Sequence, residues 1–180
     1  MCSDLMNLER DIKQLERNGV DYLHVDVMDA HFVPNLTFGV DFIAAMHRVT
    51  KLPLDIHLMV EHPLPIMEAM DIRPGDRISL HVELGEQLHE LAKAVRARGA
   101  HFGLVVNPST PVEALTPYLD EIEWVILMLV QPGFAGAKLI DGILDKVAAA
   151  RRFLDEHGHP ETEISVDGSV SCERPPLMRD

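Results

Sequence analysis

The sequence predicts an α/β fold built as a (β/α)8 barrel, and three observations lead there. Short apolar segments alternate with segments of helical periodicity along the whole chain. The apolar segments are too uniformly hydrophobic to be half exposed, which is the mark of parallel strands covered by helices. Polar residues recur at the C-terminal ends of almost every strand: His24/Asp26, His57, His81/Glu83, Asn107, Gln131 and Asp167. An open doubly wound sheet also fits the alternation, but it collects functional groups from a few strands beside its switch point. Convergence of many strand ends on one place is barrel geometry.

The elements follow in order. Leu5, Leu8, Ile12 and Leu15 recur at helical spacing, and Asn18-Gly19 closes that helix. A strand is expected over 21–27, and the loop from Pro34 to Gly39 leads to a helix through Phe42, Ile43 and Met46. Leu54 to Val60 reads as a strand, and Pro63 opens a helix to about Met70, proline being at home in a first helical turn. After the turn at Arg73-Pro74-Gly75-Asp76, Arg77 to Val82 is a strand. Leu84, Leu88, Leu91 and Val95 mark a helix closed by Arg98-Gly99, and Phe102 to Val106 is the next strand. Asn107 to Pro111 is expected to cap a helix carrying Val112, Leu115 and Leu119. Trp124 to Val130 is a strand, 132–136 a glycine-bearing loop, Ile140 to about Glu156 a helix, and Thr162 to Val166 a last strand before Asp167-Gly168-Ser169.

Composition narrows the function. With 180 residues, 47% hydrophobic and 25% charged, the chain reads as one soluble barrel domain over 1–180. A net charge of −13 argues against nucleic acid and anionic membranes as partners. A phosphorylated small molecule stays open, because backbone N–H groups can bind it locally. No apolar run approaches the ~20 residues of a membrane span, and the start has no secretory pattern. Cys2 and Cys172 sit near opposite ends, so a disulfide framework is not expected and a reducing cytoplasm fits.

The stretch from His24 to Asn35 carries the chemistry. Residues i and i+2 of a strand share a face, so His24 and Asp26 stand together in an otherwise apolar segment. Burying a carboxylate needs a compensating partner. That partner is either an imidazole tying down the core or a divalent cation. His57 alone reads as a hydrogen-bonded core residue, and Asp167 alone as a turn or cap. Together, two His and two Asp from three strand ends make an N2O2 set suited to Zn²⁺, Fe²⁺ or Mn²⁺. No local spacing holds them, so the fold must bring them together.

Four blocks carry a family resemblance: His24-Val-Asp-Val-Met-Asp-x-His-Phe-Val-Pro-Asn35, His57-Leu-Met-Val60, Met128-x-Val-x-Pro-Gly-Phe-x-Gly136 and Val166-Asp-Gly168. In order and spacing they resemble the ribulose-phosphate 3-epimerase family. Phe134-Ala135-Gly136 and Asp167-Gly168-Ser169 lean toward its allulose-6-phosphate branch. The resemblance implies a TIM barrel of the ribulose-phosphate-binding type and a metal-dependent isomerase inverting C3 of a 2-ketose phosphate. D-ribulose 5-phosphate is the first substrate and D-allulose 6-phosphate the second. It implies His24, Asp26, His57 and Asp167 as ligands of a divalent cation, zinc first, with iron, manganese or cobalt as alternatives. Asp26 and Asp167 become the acid/base pair. Met28, Met59, Met128 and His57 become substrate contacts, and Gly133, Phe134, Ala135, Gly136, Gly168 and Ser169 the phosphate side of the site. A homo-oligomer is expected.

The sequence also departs from the family. Ala30 stands where glycine is usual, Leu129 where threonine is common and Ala137 where glutamine is common. Cys2-Ser3-Asp4-Leu5 resembles the segment after the family's first strand, and after Ser169 a proline pair, Pro175-Pro176, stands where a helix is usual. The expectation is therefore a barrel lacking its first and last strands. Three readings stay open here: an active epimerase, a metal-binding relative without turnover, or another phosphate-binding barrel enzyme. The strand-end lysine usual in the last is missing from these strands.

Overall fold

Each apolar run becomes a parallel strand. The computed structural model describes residues 3–170. Its strands β1 (Leu23–Met28), β2 (Leu54–Met59), β3 (Arg77–His81), β4 (His101–Val106), β5 (Trp124–Met128) and β6 (Glu163–Asp167) pair in sequential order, every pair parallel. The helices α1 (Leu8–Arg17), α2 (Val40–Val49), α3 (Pro63–Ala69), α4 (Leu88–Arg96) and α5 (Ile143–Glu156) occupy the connections.

Strand parity sorts the side chains. Val25, Ile56, Leu58, Ile78, Leu80, Phe102, Leu104 and Leu127 join Ile43, Met67, Leu88 and Leu91 in one buried core between sheet and helices. The opposite parity carries His24, Asp26 and Met28 on β1, His57 and Met59 on β2, and Trp124 and Met128 on β5. That inner face is concave. β1 and β6 stand at the two ends of the sheet order, yet His24 Nε2 lies 4.0 Å from Asp167 Oδ2. The six strands therefore curl into a half-barrel. Among the described residues β1 pairs only with β2 and β6 only with β5, so the ring does not close.

Two contacts fill the hollow. The Arg77 guanidinium meets the Glu163 carboxylate with two hydrogen bonds, at 3.0 and 2.8 Å, and lies 4.1 Å from the Tyr22 ring centre and 4.8 Å from that of Trp124. The Trp124 indole N–H donates to Ser79 Oγ at 3.2 Å. This seat exists because residue 103 has no side chain: a Cβ there would stand 2.3 Å from the indole.

Several expected boundaries shift. The helix expected from Leu84 starts at Leu88, because Gly85 breaks the preceding 3-10 turns at φ 66°. The segment Val112–Glu121 forms 3-10 turns instead of an α-helix, with Pro111, the last residue of the expected capping stretch, before it. Pro117 lies inside it, without an N–H to donate and with its ring against the carbonyl four residues back. β5 ends at Met128, and the last helix begins at Ile143. Cys2, Cys172 and the Pro175-Pro176 pair lie outside the described residues. Among the described residues no helix is long and apolar enough to cross a membrane.

Candidate metal centre and substrate cavity

The i, i+2 relation places His24 beside Asp26 on β1, and the parallel register sets Asp26 opposite His57 on β2. The curl brings Asp167 in from β6. His24 Nε2 and His57 Nδ1 each stand 3.4 Å from Asp26 Oδ1, and His57 Nδ1 is 3.7 Å from Asp167 Oδ2. One donor atom from each of the four residues lies within 4.8 Å of the other three. A tetrahedral ion with bonds of about 2.0–2.2 Å has donor–donor edges of about 3.5 Å. The set therefore fits a cation by spacing and by donor type. His57 Nδ1 adds to the fit: it is buried and, among the described residues, makes no hydrogen bond.

Electrostatics point the same way. Burial acts against a charge on His24, but hydrogen bonds to Asp26 and Asp55 outweigh it and raise its pKa to about 10. His57 is raised too, against burial, by Asp167 and Asp26. Burial alone would push the Asp26 carboxyl up; the imidazoles of His24 and His57 instead hold it well below the carboxylate range. Asp167 is lowered, likewise against burial, chiefly by His57. The two carboxylates thus demand positive charge between them, which protons or a divalent cation can supply.

Each imidazole is backed by a further partner. Asp55 Oδ2 lies 2.7 Å from His24 Nδ1. His57 Nε2 lies 2.8 Å from His81 Nε2, and His81 Nδ1 lies 3.2 Å from Glu83 Oε2. The sequence marks His81 and Glu83 only as strand-end polar residues and gives Asp55 no role. The same i, i+2 parity that pairs His24 with Asp26 would have placed Asp55 with His57.

A cavity of about 410 Å³ opens beside the cluster. Asp26 and Asp167 form part of its wall, with Met28, Met59 and Met128. Those methionines are almost fully buried, at 2%, 1% and 2% exposure, with the cavity beside them. Gly133, Phe134, Ala135 and Gly136 form one rim and Gly168 with Ser169 another, and Phe134 is 57% exposed. His24 and His57 do not line it: His57 is fully buried behind the carboxylates. The turn at the second rim has φ 95° at Gly168 and 55° at Ser169, and a Cβ at Gly168 would meet Val130 at 2.3 Å. Asn35 Nδ2 donates to the Gly133 carbonyl at 2.6 Å and ties the first rim to the loop after β1, a role the sequence did not single out. In that loop Ala30 takes φ 61°, the conformation glycine favours.

The chain is similar to known proteins. The chain matches the family model described as the Ribulose-phosphate 3 epimerase family over residues 1–178. It is 40% identical over 178 residues to the ribulose-phosphate 3-epimerase of Bacillus subtilis, covering 99% of this chain and 82% of the relative. It is 39% identical over 180 residues to that of Treponema pallidum, covering 100% and 82%. The enzyme of the same name from Methanocaldococcus jannaschii is 34% identical over 178 residues, covering 98% and 74%. In fold, a crystallised N-terminal domain from Bacteroides vulgatus superimposes with a TM-score of 0.51 at 15% identity, over 92% of this chain and 58% of that one. The epimerases match this chain in sequence, and the crystallised domain matches it in fold alone. With the match running the length of the chain, it belongs to the ribulose-phosphate 3-epimerase family, isomerases that act on carbohydrates.

Proposed function

We propose that the chain inverts C3 of a 2-ketose phosphate by two-base proton transfer, with D-ribulose 5-phosphate and D-xylulose 5-phosphate as the first pair and D-allulose 6-phosphate and D-fructose 6-phosphate as the second. The observation that carries this is the meeting of Asp26, from one end of the sheet, with Asp167, from the other, on the wall of one cavity. Inversion needs one group to take the C3 proton and another to return a proton on the opposite face. One carboxylate enters as base and the other as acid, and the reverse reaction exchanges them. His24, Asp26, His57 and Asp167 would hold a divalent cation, zinc in this reading, with iron, manganese or cobalt as alternatives. Bound there, it supplies Lewis-acid polarisation of the C2 ketone.

The remaining residues bind and shield. Met28, Met59 and Met128 give the reacting carbons an apolar wall, and Phe134 covers the mouth against water. Backbone N–H groups at 133–136 and 168–169 receive the phosphate. The frame is read as part of a (β/α)8 barrel in one domain, at work in the cytoplasm and as a homo-oligomer.

The test is direct. Bound metal is measured on the purified protein, and deuterium entry from solvent is followed at C3 of each ketose phosphate. Metal together with exchange on ribulose 5-phosphate supports the reading. Exchange on allulose 6-phosphate alone moves the substrate. Metal without any exchange replaces the epimerase by a metal-binding relative without turnover, and neither metal nor exchange overturns both.

A further inference from the structure

The second imidazole of the cluster is held by a chain of three groups. His57 Nε2 lies 2.8 Å from His81 Nε2, and His81 Nδ1 lies 3.2 Å from Glu83 Oε2. Glu83 Oε1 accepts the Asn107 backbone N–H at 3.1 Å and the Thr110 hydroxyl. Both imidazoles are fully buried, and the Phe32 ring packs on His81 with centres 4.6 Å apart. Neither ring has solvent at hand to complete its hydrogen bonds.

Proton counting decides the arrangement. A neutral imidazole carries one N–H donor and one acceptor. Two buried Nε2 atoms 2.8 Å apart need one proton between them, not two and not none. Suppose His81 supplies it. A neutral His81 then turns a bare Nδ1 toward the Glu83 carboxylate, acceptor against acceptor. His57 must also carry its own proton on Nδ1, where the facing oxygens of Asp26 and Asp167 stand at 3.4 and 3.7 Å, past the range of an ordinary N–H···O bond. Suppose instead that His57 supplies it. His81 then gives its Nδ1–H to Glu83, every group from Nε2 to Glu83 is matched, and His57 Nδ1 is left for a cation, which the facing Asp26 and Asp167 oxygens also need.

We infer that Glu83, acting through His81, is a positioning residue that fixes His57 in its Nε2–H form and so keeps Nδ1 open as a metal ligand. The inference rests on reading the four-residue cluster as a metal centre. His24 is set the other way: its Nδ1 faces Asp55 at 2.7 Å and leaves Nε2 for the cluster. The centre thus takes one imidazole of each tautomer, His24 fixed from behind by the Asp55 carboxylate and His57 by the Glu83 carboxylate through His81, as partners behind ligating histidines do in general.

The Asn107 N–H makes the inference sharp, because a backbone donor cannot turn around. In Glu83→Gln the amide oxygen must take that N–H, and the NH2 group is left facing His81 Nδ1. His81 then becomes Nε2–H and His57 becomes Nδ1–H, which places a proton on the ligand atom. Glu83→Ala removes the partner without imposing either form. A merely structural role for Glu83 predicts the reverse order, with the truncation to alanine as the more damaging change.

The experiment uses the whole chain, labelled with 15N-histidine and free of metal. Long-range proton–nitrogen spectra, with the His57 signals identified by their loss in His57→Gln, report which ring nitrogen carries the proton. Zn²⁺ affinity is measured by competition calorimetry at one pH. The expected result is a proton on His57 Nε2 in the parent protein and none there in Glu83→Gln, with Zn²⁺ affinity lowered roughly 10–100-fold in that variant and less in Glu83→Ala. A His57 Nε2 without a proton in the parent overturns the inference. So does a folded Glu83→Gln that binds Zn²⁺ within about twofold of the parent, given the size such partners usually have. A parent that shows Nε2–H but takes up no Zn²⁺ overturns the metal reading of the cluster and upholds the proton arrangement, so the two failures are told apart.

Discussion

Arg77 on β3 and Glu163 on β6 clasp each other across the hollow of the half-barrel, two N–H groups on two carboxylate oxygens at 3.0 and 2.8 Å. The fork geometry suits this better than a point charge would. Glu163 is half exposed, so solvent screens the pair, and its share of stability is about 1 kcal/mol. Stacking of Arg77 on Tyr22 and Trp124 adds a similar amount. Arg77→Met should therefore cost about 2 kcal/mol in urea unfolding, and Arg77→Lys should recover only part of it.

The same pair sets a pH dependence. The hydrogen bonds from Arg77 hold Glu163 below its ordinary value of 4.5. A carboxylate lowered on folding contributes stability above its unfolded pKa and loses it as pH falls toward the folded one. The gap between the parent and Arg77→Met should be full at neutral pH and narrow below pH 4.5. A gap that stays constant into acid would show that the ion pair contributes nothing.

Gly103→Ala should destabilise by about 1–3 kcal/mol, the usual cost of forcing volume into a packed site. The new methyl would meet the Trp124 indole at 2.3 Å, and the ring has Arg77 on one side and its hydrogen bond to Ser79 to keep. Indole fluorescence together with thermal unfolding checks this.

Asp26→Asn and Asp167→Asn should each lower C3 exchange by at least about 100-fold, the lower end of what a positioned acid or base contributes. The fold should survive both changes, because neither side chain belongs to the apolar core. Full exchange in Asp26→Asn would remove Asp26 from the acid/base pair.

Phe134→Ala should raise KM for the sugar phosphate several-fold and admit water to the cavity, while thermal stability changes by less than about 0.5 kcal/mol. Phe134 is 57% exposed at the rim and belongs to no core cluster, so the fold does not depend on it. A large stability loss with unchanged KM would reassign it to packing.

Much of this site was legible because it lies on strands. Parity pairs His24 with Asp26 from spacing alone, and the strand ends point to one face before any distance is known. The partners behind the site were not legible. His81 and Glu83 stand two residues apart, which parity could suggest, but the 2.8 Å approach of His81 to His57 depends on the register of β2 with β3. The 3-10 turns at Val112–Glu121 were misread because the apolar spacing of Val112, Leu115 and Leu119 suits either helix, and Pro117 decides between them. The Arg77–Glu163 clasp spans 86 residues and follows from curvature, which no local pattern encodes.

That curvature has one more consequence. His24 and Asp167 come from the outermost strands, so a cation seated among the four donors would act as a buckle between the two margins of the sheet, shortening the path from residue 24 to residue 167 in the folded state only. By mass action it should raise the unfolding free energy by about 2.7 kcal/mol at a hundredfold excess over its dissociation constant. A chelator should lower the melting temperature, and amide hydrogen exchange should quicken first along β1 and β6. The ion that serves the chemistry would then also hold the curve on which that chemistry depends.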